Sequence, residues 1–133
     1  PILQMSMPTS DPGKLMEIGK RLQPLRDEGV LIIGSGFMTH GLPYIRDWRT
    51  DADAPTWSSE FDTWAAEALS RGDFDALASY KDIAPGVRYA HPTVEHFTPL
   101  FITLGAATSA ATPVETLIDG YFMGLSKRSI LVA

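Results

Sequence analysis

The sequence contains no cysteine. Disulfide frameworks, thiolate metal sites and cysteine nucleophiles are thereby excluded. No apolar run approaches the roughly 20 residues that cross a bilayer, and no signal-peptide pattern is visible. Positive charge is in the minority: 11 Lys and Arg against 16 Asp and Glu leave a formal net charge of −5. Without a basic run, nucleic acid is not expected as a partner, because phosphate binding needs a basic surface. These absences are compatible with a cytoplasmic enzyme that has no membrane partner. Histidine is scarce too, with only His40, His91 and His96.

What is present reads as a globular domain. With 133 residues, 44% hydrophobic and 20% charged, a single domain over residues 1–133 can bury a real core. The chain starts at Pro1, and residues 2–7 already read as a strand, so it is expected to continue something longer. Asp11 and Pro12 open a helix as N-cap and first helical residue. Leu15, Ile18, Leu22 and Leu25 give it one apolar face and Gly29 stops it, with Pro24 loosening its last turn. Val30-Leu31-Ile32-Ile33 is a continuous apolar run, read as a buried strand parallel to the first. The fold class predicted is therefore α/β, a layered sheet with at least one parallel βαβ unit flanked by helices.

Gly34-Ser35-Gly36 ends that strand, and Phe37 to Pro43 form a loop at its carboxyl end. Residues 43–57 read as a longer loop. Ser58 or Ser59 is expected to cap a helix with Phe61, Trp64, Ala65, Ala68 and Leu69 on one face and Gly72 as its stop. Asp73 caps a short helix, Pro85-Gly86 makes a turn, and Pro92 starts a helix that ends at Gly105. Within it Pro99 frees the carbonyl of Glu95. Residues 106–113 read as a small-residue linker. Residues 116–118 and 129–132 read as strands around a bend at Gly120–Gly124.

His40 follows the buried strand, where open α/β sheets bind ligands. A histidine there acts as general base or metal ligand, or merely caps a turn. His96 adjoins Glu95; both are potential metal ligands, or a polar surface pair beside an inward Phe97. His91 and His96 lie five apart, which is not the spacing of a zinc-protease pair. Gly34 and Gly36 could cradle an anion, or serve close backbone packing. Ser35 lacks the surrounding glycines of a hydrolase elbow, although it is the one plausible nucleophile for that reading. Trp48, Trp57 and Trp64 suit packing, and Tyr121 could face a cleft. A facial metal site needs at least three ligands, and the residues supply one to three from two places in the chain.

Three segments together resemble one family. They are Arg26 to Gly36 running on to Thr39-His40; His91-Pro92-Thr93-Val94-Glu95-His96-Phe97-Thr98-Pro99-Leu100 with Leu104 to Ala107; and Gly124 to Ser129. Their order and spacing resemble the DOPA dioxygenase type of class III extradiol ring-cleavage dioxygenases, over the C-terminal half of a typical member. The resemblance implies that half of the family's fold. It implies opening of a catechol-type aromatic ring with Fe(II), or with Zn(II) as the bound metal, and dioxygen. His96 would be a metal ligand and His40 the catalytic acid/base, with Gly36, Thr39, His91 and Tyr121 around the substrate. It implies too that the remaining ligands lie in an N-terminal half, in cis or in trans. Without that half the edge of the first strand is unprotected, so the chain is expected to form homo-oligomers or heteromers. Gly41 stands where relatives often carry Asn, and Lys127 where Met is expected. The rival reading is a non-catalytic module that binds small aromatic molecules.

Overall fold

Asp11 opens the first helix as its sequence predicts. Its carboxylate accepts from the Lys14 N–H at 2.9 Å, and Pro12 takes the first position of α1 (Pro12–Leu22). The structure is a computed structural model that describes residues 1–107 and 114–133, so most of the expected linker lies outside the described residues. Pro24 cannot continue the hydrogen-bond ladder, and the chain tightens into a 3₁₀ turn over Gln23–Glu28 that Gly29 ends at φ 80°. Gln23 and Arg26 tie that turn to the carbonyls of Ala107 and Ala106 at 3.0 and 2.9 Å.

Helix α2 (Thr56–Arg71) starts earlier than expected. The N–H groups of Ser58 and Ser59 bond to the Pro55 carbonyl, so Pro55 takes the cap position and Ser58 turns into the core. Its buried face comprises Ser58, Phe61, Asp62, Ala65, Ala68 and Leu69, and Gly72 closes it. Asp73 caps α3 (Phe74–Ala78) through the Ala76 N–H at 3.0 Å. Short helices α4 (Tyr80–Ile83) and α5 (Val87–Ala90) lead to a turn-rich stretch from His91 to Thr98. Helix α6 runs only from Pro99 to Gly105. The expected start at Pro92 is thus corrected: Pro99 is a first-turn residue rather than an interior one, because a helix tolerates proline where no N–H is needed. His96 therefore sits on the turn before the helix.

Phe61, Tyr80, Phe97 and Phe101 form the centre of the core, with Phe97 meeting Phe61 and Phe101 edge to face at 5.3 and 5.5 Å. Helix α1 lies against α6, and two glycines set how closely. A methyl on Gly19 would overlap the Ile102 carbonyl, and one on Gly105 would overlap the Met16 carbonyl. Because backbone stands on the far side, Gly105→Ala is expected to cost about 3 kcal/mol or more. Urea unfolding with an unchanged slope would measure it.

The sheets are small and antiparallel. Strand β1 (Glu115–Ile118) pairs with β4 (Ser129–Leu131). Between them β2 (Tyr121–Phe122) and β3 (Leu125–Ser126) form a tight hairpin around Met123 and Gly124. Both turn residues have positive φ, 53° and 74°, as a two-residue turn matched to strand twist requires. The expected bend at Gly120–Gly124 is this hairpin. The parallel βαβ unit is not formed among the described residues: residues 2–7 and 30–33 belong to no ladder. The apolar run is real, but a strand needs neighbours for its N–H and C=O groups. Here Leu31 and Ile33 are each 75% exposed. The class stands as mixed helix and sheet. Among the described residues, no helix is long and apolar enough to cross a membrane.

Candidate active site

Residues 34–40 are laid along the turn that carries His96. A side chain on Gly36 would strike the His96 carbonyl, and the Phe37 N–H bonds to that same oxygen at 3.1 Å. A side chain on Gly34 would likewise meet the Thr103 hydroxyl and the Pro99 carbonyl. The Gly-Ser-Gly stretch thus allows close backbone approach, the plainer of its two readings. The approach brings His40 and His96, 56 positions apart in sequence, into parallel stacking with ring centroids 3.4 Å apart and planes at 17°. Phe37 stands edge-on to His40 at 6.4 Å.

His40 is fixed from its backbone. Its N–H donates to the Ala90 carbonyl at 2.7 Å, and the Met38 carbonyl, two residues earlier, faces His91 Nε2 at 2.8 Å. His91 is buried between Phe61 and Phe97, each 5.0 Å away, and burial pushes its pKa down to about 4. It is therefore neutral, with the proton on Nε2 donated to Met38, and Nδ1 has no partner among the described residues. Held at both flanks, the His40 ring remains half-exposed. Partial burial lowers its pKa, as does the neighbouring His96, while Glu95 opposes the shift. The net effect favours a neutral imidazole able to accept a proton near neutral pH.

His96 is half-buried and lines a groove of about 450 Å³ between the 30–38 segment, α6 and β4. Among the described residues no side-chain hydrogen bond engages the His96 or His40 ring, so their nitrogens are free for a ligand or a proton. Glu95 is exposed and its carboxylate accepts from the Thr93 hydroxyl at 2.7 Å, a bond that holds its pKa low. Yet no group of three His, Asp or Glu side chains among the described residues could hold a metal. Neutral imidazole suits a divalent transition metal, so the donors fit part of a metal site and not all of one.

The other candidates fall elsewhere. Thr39 is fully buried and bonded to Ser58 at 2.8 Å. Tyr121 lies on β2, its hydroxyl 3.4 Å from the Asp62 carboxylate. Ser35 is exposed, and among the described residues no base is hydrogen-bonded to it, which gives the hydrolase reading no support. One set of residues was missed at the sequence level: Asp62, Ser126 and Arg128, which converge beneath Thr39. Arg128 grips both carboxylate oxygens of Asp62 at 2.8 Å, and the Ser126 hydroxyl donates to one of them at 2.6 Å. The available signal was an acidic residue inside the apolar stripe of α2.

Comparison with known proteins identifies the family. The family described as the catalytic LigB subunit of aromatic ring-opening dioxygenase matches residues 1–125. A 4,5-DOPA dioxygenase extradiol from Beta vulgaris is 40% identical over 129 residues, covering 92% of this chain and 46% of its own length. The Escherichia coli K12 protein of that name is 31% identical over 137 residues, covering 99% of this chain and 49% of its own. A crystal structure of an uncharacterized E. coli K12 protein superposes with a TM-score of 0.79 at 30% identity, over 92% of this chain and 50% of the other. The chain thus spans about half the length of the relatives it matches. With its histidine pair beside a groove and a match along nearly its whole length, the chain belongs to the LigB family of aromatic ring-opening dioxygenases.

Proposed function

We propose that the chain supplies the acid/base and one metal ligand of an extradiol dioxygenase that opens a catechol-type ring with dioxygen. The observation that carries this reading is the stacking of His40 on His96 with both rings free of side-chain hydrogen bonds among the described residues. His96 would ligate the metal, taken to be Fe(II), with Zn(II) as the other candidate. Bound there, the metal would supply Lewis acidity to the catechol oxygens and a site for dioxygen. His40 would accept a proton from a catechol hydroxyl and return one to an oxygen of the ring-opened product. Both atoms of dioxygen end in that product, so the reaction needs no external reductant.

The remaining ligands belong to a complementary N-terminal half, joined in cis or supplied in trans. Three observations favour this. The described residues lack a three-ligand group, the relatives are about twice as long, and the unpaired Val30–Ile33 segment exposes apolar side chains. In the complete protein residues 2–7 and 30–33 would join a parallel sheet completed by that half. Gly36, Thr39, His91 and Tyr121 would shape the substrate's surroundings, by contact or through the residues they hold. We assign the protein to the cytoplasm and to breakdown of aromatic compounds.

Anaerobic Fe(II) titration followed by oxygen uptake tests the reading, with simple catechol and DOPA as probes. This chain alone is expected to bind Fe(II) weakly, to lose that binding on His96→Ala, and to show no turnover. Adding the complementary half is expected to restore tight binding and uptake. Full turnover by this chain alone would remove the need for a second half. The lack of a three-ligand group among the described residues also favours a metal-free module that binds small aromatics. Aromatic binding unaffected by chelator, with no His96-dependent iron binding, would establish it.

A further inference from the structure

A buried polar chain ties the far end of the molecule to His40, and the fold alone gives no reason for it. Thr39, Ser58 and Ser126 are fully buried, and Asp62 is 3% exposed. The Thr39 hydroxyl bonds to the Ser58 hydroxyl at 2.8 Å and accepts from the Ser126 N–H at 2.7 Å. Ser126 then donates through its own hydroxyl to Asp62 at 2.6 Å. Arg128 forks onto both Asp62 oxygens and reaches Asp119 at 3.0 Å, while its backbone N–H donates to the Ser126 hydroxyl at 3.3 Å. Burial alone would raise the Asp62 pKa; the Arg128 and Ser126 bonds outweigh it and hold the carboxyl below its ordinary range.

A buried ion pair is weak support for stability, since apolar residues of similar size serve as well or better. What such a network does provide is a single geometry, because a half-satisfied version is costly. Here the geometry is delivered to one place. Thr39 directly precedes His40, whose own N–H is held by Ala90. The next residue, Gly41, has no room for a side chain against the Tyr89 carbonyl and the Trp57 ring. The His40 backbone is therefore over-determined: Ala90 on one side, the Thr39 side chain on the other, a tight glycine after it.

We propose that Thr39 is a positioning residue for His40, and that Ser126, Asp62 and Arg128 form the strut that aims it. The C-terminal hairpin would then set the stacking of His40 on His96 through Thr39. This deepens the dioxygenase reading and rests on it for its catalytic meaning, although the geometric claim can be read separately.

The test is NMR on the protein labelled at histidine, following cross-peaks between the His40 and His96 rings. Thr39→Val removes the hydroxyl and keeps the shape; Thr39→Ser keeps the hydroxyl. The Val variant is expected to lose the ring-to-ring cross-peaks several-fold while its amide spectrum stays dispersed, and the Ser variant is expected to retain them. Native cross-peaks in a folded Thr39→Val protein would overturn the proposal, as would equal loss in both variants. Should Thr39→Val fail to fold, Arg128→Lys carries the same test, because it keeps the charge beside Asp62 and gives up the fork. Weakened cross-peaks in its folded spectrum support the strut, and unchanged ones overturn it. In the complete enzyme kcat is expected to fall with the cross-peaks while KM holds. Loss of the cross-peaks in Thr39→Val, together with a complete two-half enzyme that never turns over a catechol, would sink the dioxygenase reading and leave the strut standing.

Discussion

Replacing His40 with glutamine is expected to lower catechol turnover by about 10²- to 10⁴-fold, the usual contribution of a positioned acid/base. Fe(II) affinity should hardly change. His96→Ala is expected to do the reverse in order of cause: metal binding is lost first, and activity disappears with the metal. The two rings touch, so distance does not separate their roles. Their surroundings do. His40 is clamped through its own amide and through Met38, and both partial burial and its neighbour push it toward the neutral form. His96 sits on a turn at the edge of the groove, where a ring nitrogen can reach a ligand from outside this chain. Glutamine at position 40 preserves a polar group packed against His96, so a loss of turnover reports proton transfer rather than collapse of the stack. Metal titration and single-turnover rates on the complete protein decide the matter. If His40→Gln abolishes iron binding, His40 is a ligand and the acid/base must be sought elsewhere.

Acid should loosen this fold earlier than its carboxylates alone would dictate. In the folded state the His91 pKa is pushed from the usual 6.5 down to about 4 by burial. Between those values the unfolded chain binds a proton that the folded one refuses, so stability rises with pH across the window. The contribution is fully present above the unfolded value, is lost as pH falls toward the folded one, and stops changing below it. A shift of that size corresponds to about 3 kcal/mol, at roughly 1.4 kcal/mol per unit. Asp62 acts in the same direction but later: its carboxyl is held low by Arg128 and Ser126, so its stabilisation is lost only as pH falls through and below the ordinary carboxylate range. Urea unfolding at a series of pH values should therefore show a first decline belonging to His91 and a second belonging to Asp62. His91→Gln retains an N–H for the Met38 carbonyl and cannot titrate. It should flatten the first decline and leave the second. An identical slope in wild type and variant would mean that another group carries it.

Local rules account for much of the secondary structure. Asp11, Pro12, Gly29, Gly72, Asp73 and Gly86 act where their chemistry places them, because caps and left-handed turns depend on a few neighbouring residues. The inward face of α2 was legible from period alone, as were Leu15, Ile18 and Leu22 of α1 and Phe97, Phe101 and Leu104, whereas Leu25, expected beside them, falls in the 3₁₀ turn and is exposed. The ends of α2 and α6 were less so, since Pro55 and Pro99 can each be read as interior, cap or first-turn residues until the backbone carbonyls are placed. The run Val30–Ile33 shows the limit of pattern reading. Its composition says strand, but a strand exists only with a partner, and none lies among the described residues.

Sequence by itself determined which residues could do chemistry. Three histidines and no cysteine left few choices, and His40 and His96 stood out with their flanking glycines, Glu95 and Pro99. Only the tertiary structure decided that His40 and His96 stack while His91 is buried as a neutral prop for Met38. It alone joined Asp62 to Ser126 and Arg128, more than sixty residues away. The physical reason is range. Caps, turns and amphipathic faces are set by contacts a few residues apart. A stacked pair or a buried ion pair depends on where distant segments cross, and that is fixed by packing of the whole core around Phe61, Phe97 and Phe101.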